Sequence, residues 1–317
     1  MSSLWNPPAT AVIFPGQGSQ VAGMGATWVD HPAWAVVEEA EAALGEPLAP
    51  LLLTATDDDL APTRPAQLAM LLHGLVAWRA FAPTLAGAPV AFAGHSLGQV
   101  TALIAAGAMS LADGVRFAAE RARATQEAAD RQPGRMAALL GVDEATAVEA
   151  CQAAEGSCWV ANDNAPGQVV VAGTPEGVEA ATAAARALGA KVLPLKVGGA
   201  FHTPLMAEAA DELAPILAQA TFADPTAPVV ANTDARAHRD GEGWPARLAQ
   251  HLVQPVRWRG SVVALAELGA TAVVELGAAG RLGAMVRRTD RSLATSSVIS
   301  PADLIPATEP LARAAQT

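Results

Sequence analysis

The sequence predicts an α/β protein in which a main body with a parallel sheet carries a small inserted subdomain. Two apolar runs, Ala11–Phe14 and Pro89–Ala93, each end in a glycine-rich turn, which is typical of strands buried in such a sheet. Near residue 132 the order becomes strand, helix, strand, strand, helix, strand, which is the split βαβ or ferredoxin-like arrangement. The predicted divisions are a main body over 1–131 and 200–300, the subdomain over 132–199 and a C-terminal tail over 301–317.

The individual elements follow from apolar periodicity. In the main body, the predicted helices are 65–81, 99–106, 205–220, 244–252 and 261–268, and strands are also predicted at 229–231 and 272–275. In the subdomain, the predicted strands are 136–141, 158–161, 168–172 and 191–195, and the helices are 143–155 and 174–188. The tail is rich in Pro and Ala without periodicity, which favours a surface appendage.

The composition excludes some classes of partner. The net charge is −11, from 31 acidic and 20 basic residues, whereas binding to nucleic acid requires a basic face. Cys151 and Cys158 are too few to cross-link a chain of this size, so both are expected to be inert core thiols. The first residues do not match a secretory signal, and no run reaches the roughly 18 apolar residues of a membrane span. We therefore expect a soluble, cytoplasmic protein with no membrane or nucleic-acid partner.

The segment Gly94-His95-Ser96-Leu97-Gly98 matches G-x-S-x-G, the pattern of a nucleophile elbow. It follows an apolar strand and opens a helix, which is the context that the motif requires. We therefore predict that Ser96 is a nucleophile at the edge of an α/β-hydrolase-like body. The alternative is an ordinary tight turn.

A serine nucleophile needs a base and donors for the negative intermediate. The six histidines all qualify by residue type, and spacing does not choose among them; His202 stands just after the insertion, where a loop can return it to the elbow or simply cap a helix. The backbone N–H of Leu97 and the glycine-rich loop Pro15–Gln20 are candidate oxyanion donors, although that loop also matches an ordinary turn.

Taken together, these motifs resemble the malonyl-CoA:acyl-carrier-protein transacylase family of fatty acid and polyketide synthesis. The resemblance runs over residues 10–290 in one order, and it is carried by the following segments: Phe14-Pro15-Gly16-Gln17-Gly18-Ser19-Gln20, Gly94-His95-Ser96-Leu97-Gly98, Arg121, Asn164–Gly173 and Phe201-His202.

The resemblance implies a role for each matching residue. Ser96 would carry the acyl group, His202 would be its base, and the N–H groups of Gln17 and Leu97 would hold the oxyanion. The histidine would be oriented by a main-chain carbonyl of the stretch 250–255 and not by a carboxylate. A coenzyme A thioester is then the substrate, an acyl carrier protein is the partner, and no metal or permanently bound cofactor is implied.

Two further residues bear on the acyl group. By the resemblance, Arg121 pairs with the free carboxylate of a malonyl group, a task that suits its planar fork. Without the family, an arginine on a helix rich in Arg and Glu is usually a solvated surface charge. Phe201 resembles the aromatic residue of malonyl-selecting members and would exclude an α-methyl branch, although it would equally serve as a core anchor for its loop.

The chain departs from the family pattern at two positions. Gln99 stands where glutamate is common, and the reaction should survive this change. Arg64 replaces a glutamine that is usual before Pro-Ala, so it would add a second cation to the substrate pocket or alter the preferred acyl length.

Carrier proteins are typically acidic, so an acidic enzyme needs a local basic patch. Our candidates for carrier-protein docking are Arg281, Arg287 and Arg288, in a cluster that also contains Arg291 and extends to Arg257 and Arg259. The alternative for this cluster is a solvated helix surface.

Three alternatives for the function stay open. One is a hydrolase that clears stalled acyl chains from carrier proteins, which Arg121 argues against because such chains lack a free carboxylate. Another is a transacylase for a larger or unusual acyl group, which Arg64 leaves open. The third is a docking scaffold without turnover, whose expected loss of Ser96 or His202 has not occurred.

Overall fold

The computed structural model describes residues 9–195 and 197–304. The strands in this part are β1 (Thr10–Phe14), β2 (Phe92–Gly94), β3 (Arg135–Leu140), β4 (Cys158–Ala165), β5 (Gln168–Gly173), β6 (Lys191–Pro194), β7 (Val229–Val230), β8 (Ala237–His238), β9 (Ala272–Leu276) and β10 (Ala294–Val298). The α-helices are α1 (Ala35–Leu44), α2 (Ala49–Leu53), α3 (Thr63–Phe81), α4 (Gly98–Ala105), α5 (Leu111–Arg131), α6 (Glu144–Gln152), α7 (Pro175–Ala187), α8 (Ala207–Gln219), α9 (Trp244–Val253), α10 (Trp258–Glu267) and α11 (Arg281–Thr289).

The main sheet has the strand order β10-β9-β1-β2-β7-β8 and is parallel except for the edge strand β8. All five residues of the central strand β1 are buried, because the sheet is covered on both faces. Val12 and Phe14 point into a core shared with α3, α4 and α5, whereas Ala11 and Ile13 point into a second core with α10 and α11. The main body is therefore a parallel sheet between two layers of helices, as the sequence predicts.

The second sheet comprises β4-β5-β3-β6, and its paired strands are all antiparallel. Together with α6 and α7 it follows the predicted order of strand, helix, strand, strand, helix, strand. One face packs on the two helices, and the other carries Met136, Ala138 and Val170, which pack near Ala200 and Phe201. The sheet thus turns an apolar face toward the segment that returns the chain to the main body. The limits 132 and 199 for an independent subdomain stay a prediction.

Specific bonds fasten this second sheet to the main body. The N–H of Asp163 donates to the carbonyl of Val256, and the N–H of Val256 donates to the carbonyl of Ala161, both at 2.9 Å. The Asp163 carboxylate is 7% exposed and accepts a 2.7 Å bond from Nε of Arg259. A partly buried pair with good geometry restricts motion more than an exposed ion pair does. These contacts hold β4 against the start of α10.

Most predicted elements are present with ends shifted by a few residues. Strand β10 was not predicted, because Ala294-Thr295-Ser296-Ser297-Val298 is short and mostly polar, as an edge strand can be. α1, α2 and β8 were also not predicted, and α11 was expected only as a helix surface around the docking arginines, without bounds. Of the tail, residues 301–304 begin with a 3₁₀ turn over Pro301–Asp303, and the rest of the predicted tail lies outside the described residues. No described helix combines the length and apolar character that a membrane crossing requires.

The second core of the main body can be tested on α10. Leu265 is fully buried, whereas Val263 on the same helix is 44% exposed. We expect Leu265→Ala to lower the free energy of unfolding by about 2–5 kcal/mol, because it leaves a cavity in the core. The control Val263→Ala should change it by less than about 0.5 kcal/mol in urea-induced unfolding. Equal effects of the two changes would contradict the layer arrangement.

Candidate active site

Ser96 lies in the tight turn between β2 and α4, with a φ of 54°. This left-handed conformation is uncommon for a residue with a side chain, so the surroundings must hold it. Gly98 permits the turn, because a Cβ at this position would collide with the carbonyl oxygen of Phe14. The elbow thus packs directly on the end of the central strand, as the strand, turn and helix order predicts.

Asn232, just beyond β7, fixes the backbone of the elbow. Its Oδ1 accepts the N–H of Ser96 at 2.9 Å, and its Nδ2 donates to the carbonyl of Gly94 at 2.7 Å. The N–H of Asn232 in turn donates to Oε1 of Gln99, which is 2% exposed. The amide of Gln99 therefore serves the elbow as an uncharged acceptor.

His202 is the histidine that reaches the serine, and its Nε2 lies 2.8 Å from Ser96 Oγ. Its Nδ1 lies 2.9 Å from the carbonyl oxygen of His251 and must donate to it, which leaves Nε2 free to accept the serine proton. The resemblance implies that a main-chain carbonyl within 250–255 orients this histidine, and the carbonyl of His251 is in that position. His202 itself has a φ of 64°, so both members of the pair are held in a strained conformation.

Burial, followed by the positive charge of Arg121, lowers the pKa of His202 to about 3. Both effects disfavour the charged imidazolium. The ring of His251 packs against it with 5.0 Å between centroids, and burial also holds the pKa of His251 well below its ordinary value. The base is therefore neutral near pH 7.

Arg121 lies on α5 and is 5% exposed. Its Nη1 donates to Oε1 of Gln67 at 2.7 Å, and its Nη2 lies 3.2 Å from Ser96 Oγ. Burial lowers its pKa to about 10, so it stays charged at neutral pH. Within the described residues no carboxylate pairs with this cation. A buried cation without a counter-charge is costly and marks a place where an anion would bind.

The predicted oxyanion donors are available. Within the described part of the chain, the backbone N–H groups of Gln17 and Leu97 donate to no protein acceptor. Gly16 brings the two segments together, because a Cβ there would collide with the carbonyl oxygen of His95. The loop after β1 and the start of α4 therefore meet beside Ser96.

A cavity of about 280 Å³ joins these groups. Its polar lining includes Gln17, Gln67, His95, Ser96, Arg121, Asn162, Asn164, Gln168, His202 and Arg281. Its apolar lining includes Met136, Ala138 and Val170 of the second sheet, together with Phe201. The site thus lies between the main body and the inserted sheet. A larger cavity of about 750 Å³ beside α7 and β6 contains none of the predicted catalytic residues.

Of the two other residues predicted to bear on the acyl group, one lies at the cavity and one does not. Phe201 lines the cavity, as expected for a residue that shapes the acyl pocket. Arg64 does not: its side chain is 42% exposed and its Nη2 lies 2.5 Å from Glu46 Oε1. The structure therefore places this second cation outside the pocket, because the exposed carboxylate of Glu46 draws it away.

The candidate docking arginines fall into two groups, one exposed and one engaged in ion pairs. Arg281, Arg287 and Arg288 are exposed on α11, and Arg281 reaches the mouth of the cavity. Arg257 and Arg259 instead form ion pairs with Glu144, and Arg259 also binds Asp163. These last two therefore serve the contact between the main body and the inserted sheet. Arg291 is exposed.

Three buried amides at the site had no role assigned from the sequence, although Asn164 opens one of the segments that carry the resemblance. Gln67 contacts Arg121, Asn232 holds the elbow, and Asn164 Oδ1 lies 2.8 Å from Nε2 of His95. Gln67 had a detectable signal, since it is a polar residue on an otherwise apolar stretch of α3, and buried amides require partners. The partners of Asn232 lie more than 130 residues away in the sequence, so spacing alone carried no such signal.

A half-buried serine beside a buried, neutral histidine, with N–H groups from a loop and a helix start that the described structure leaves unbonded, is the arrangement of enzymes that work through an acyl-serine. The model of the acyl transferase domain family matches residues 11–316, so the chain belongs to that family. It is 40% identical over 306 residues to the malonyl CoA-acyl carrier protein transacylase of Escherichia coli K12, covering 94% of this chain and 98% of that protein. The corresponding protein of Bacillus subtilis is 35% identical over 297 residues, with 92% and 93% covered.

Solved structures agree with the sequence relatives. The malonyl CoA-acyl carrier protein transacylase of Coxiella burnetii superposes with a TM-score of 0.93 at 31% identity, covering 98% of this chain and all of that one. A malonyl-transacylase in complex with a type II polyketide synthase acyl-carrier protein gives a TM-score of 0.90 at 36% identity, with 95% and 99% covered. The fold and its family are thus established together.

The neutral state of His202 can be measured by NMR titration of its ring protons, assigned with His202→Gln. We expect no protonation from pH 8 down to about pH 5, because burial and Arg121 both disfavour the imidazolium. Replacement of the cation in Arg121→Met should raise the pKa, although burial keeps it below the ordinary value of about 6.5. A pKa at or above that value in the unaltered protein would contradict the site described here.

Proposed function

We propose that the protein moves a malonyl group from coenzyme A to the phosphopantetheine thiol of an acyl carrier protein through an ester on Ser96. The observation that carries this proposal is the position of Arg121, a buried cation 3.2 Å from the nucleophilic Oγ. A neutral acyl chain would leave that charge unpaired, whereas the carboxylate of a malonyl group pairs with it. The names of the relatives support the same substrate.

In the first half-reaction, His202 Nε2 accepts the hydroxyl proton as Ser96 Oγ attacks the thioester carbonyl. The N–H groups of Gln17 and Leu97 hold the oxyanion, which then collapses with cleavage of the C–S bond. The leaving thiolate takes the proton from His202 and departs as coenzyme A. The second half runs in reverse: His202 takes the proton of the carrier's thiol, the sulfur attacks the ester, and Ser96 regains its proton.

Arg121 also couples substrate binding to the strength of the base. Its charge lowers the pKa of His202 in the free protein. A malonyl carboxylate paired with Arg121 would offset that charge, so the base would become stronger once the correct acyl group is bound. A donor without a carboxylate would leave the weaker base in place. The proposed role of Phe201, in the same cavity, is to exclude an α-methyl branch, a discrimination worth about 1–3 kcal/mol.

The acyl-enzyme is tested by intact mass after incubation with malonyl-, methylmalonyl- or acetyl-CoA. We expect a malonyl adduct on the unaltered protein, none on Ser96→Ala, and loss of the adduct when holo-carrier protein is added. Methylmalonyl-CoA should give less adduct, because Phe201 crowds the branch. An adduct that persists in Ser96→Ala, or one that disappears equally fast without a carrier, would contradict the transfer; the second result would favour the hydrolase.

We also propose that Arg281, Arg287 and Arg288 form the docking patch for the acidic carrier protein. Arg287 Nη1 donates to Thr295 Oγ1, and Arg288 donates to the carbonyl of Pro166 and to Gln168, so neither charge is neutralised by a carboxylate in the described structure. A local positive patch on an otherwise acidic protein would steer an acidic partner to the cavity.

Arg287 offers the clearest test of docking, since its side chain does not line the cavity. We expect Arg287→Gln to raise the KM for carrier protein by several-fold, most strongly at low salt, without changing the rate of Ser96 acylation by malonyl-CoA. Arg79→Gln is the matched control, because Arg79 is an exposed arginine that pairs with Glu39 on α1. Equal effects of the two variants would argue against the patch.

A further inference from the structure

Gln67 occupies a central position that the proposed reaction does not explain. It is 3% exposed on α3 and lines the same cavity as Ser96. Its Oε1 accepts from Arg121 Nη1 at 2.7 Å, and its Nε2 lies 3.3 Å from Oε1 of Gln17. A guanidinium only donates, so the amide must face Arg121 with its oxygen and Gln17 with its nitrogen.

The contact between Gln67 and Arg121 determines how the guanidinium of Arg121 is oriented in the cavity. An arginine carries five N–H donors in a rigid fork, of which Nη1 is used by Gln67 and Nη2 approaches Ser96 Oγ. The fork is therefore fixed in plane while donors remain for an incoming anion. A neutral acceptor orients the cation without neutralising it, whereas a carboxylate in this position would compete with the substrate.

The neighbourhood of Arg64 strengthens this assignment. Here Arg64 turns outward to Glu46, and the buried amide comes three residues later on the same helix. On this turn of α3, Gln67 and not Arg64 therefore presents its side chain to the cavity.

We propose that Gln67 is a positioning residue that holds Arg121 for the carboxylate of the acyl group and so sets the preference for malonyl over uncharged acyl groups. The proposal rests on the proposed transfer through Ser96. It assigns the selectivity for a dicarboxylic acyl group to a pair of residues, Arg121 and Gln67, and it gives Arg64 no contact with substrate.

The test uses Gln67→Met, which keeps the length of the side chain and removes the amide. Acylation of Ser96 is followed with malonyl-CoA and with acetyl-CoA. We expect kcat/KM for malonyl-CoA to fall about ten- to hundred-fold, in keeping with a lost bond to a charged group, and kcat/KM for acetyl-CoA to change by less than about threefold. Addition of Gln67→Met to Arg121→Ala should cause little further loss, because the two residues act as a unit.

Gln126→Met is the matched control, since Gln126 is a nearby glutamine on α5 that accepts from Thr63 and does not line the cavity. It should leave both donors unaffected. Arg64→Gln should likewise leave both donors unaffected, because Arg64 pairs with Glu46 and does not line the cavity. Equal losses for both donors in Gln67→Met, or a loss of malonyl selectivity in Arg64→Gln, would overturn the assignment.

A binding measurement separates this inference from the proposed function. In the Ser96→Ala background, malonyl-CoA binds without transfer, and Gln67→Met should weaken that binding by about tenfold or more in calorimetry. Unchanged affinity would overturn the role of Gln67 even if the unaltered enzyme transfers malonyl groups. If Gln67→Met weakens malonyl-CoA binding but the unaltered enzyme is never acylated, the role of Gln67 in binding stands and the proposed transfer is rejected.

Discussion

The site depends on a buried positive charge that the described structure does not neutralise with a carboxylate. Arg121 is desolvated enough for burial to lower its pKa, and its protein partners are an amide and a hydroxyl. Such an arrangement is unfavourable unless another gain offsets it. The charge also lowers the pKa of His202 and so keeps the base neutral, and in the proposed transfer the same residue would select the acyl group. Gln17, Gln67 and Ser96 are arranged around it.

Backbone strain is the second constraint on the site. Ser96 and His202 both have a positive φ, which costs about 1–3 kcal/mol each for residues with side chains. The elbow is held by Asn232 and the close-packed Gly98, and His202 is followed by Thr203, whose Oγ1 donates to the carbonyl of Ala200. Rigid supports on both sides keep Oγ and Nε2 at hydrogen-bond distance, and this pre-organisation lowers the cost of reaching the transition state.

The sequence predicted what is local and missed what depends on distant contacts. The elbow was predictable because strand, turn and helix follow one another within a few residues. The choice of His202 from six histidines needed the family resemblance, since 106 residues separate it from Ser96. The resemblance placed Arg64 at the pocket, and nothing in the sequence shows that Glu46 lies beside it on the outside. The polar edge strand β10 was not predicted because its stability comes from pairing with β9, which is also a contact that the local sequence does not show.

The inserted sheet explains why the cavity has two unlike walls. The main body supplies the charged and polar groups, whereas Met136, Ala138 and Val170 supply an apolar wall. An apolar wall lowers the local dielectric, which strengthens the attraction between Arg121 and a carboxylate. The same wall is held by polar bonds at Val256 and Arg259, outside the cavity. Because these bonds join β4 to α10, a shift of the inserted sheet would widen the cavity and weaken the proposed attraction between Arg121 and a bound carboxylate.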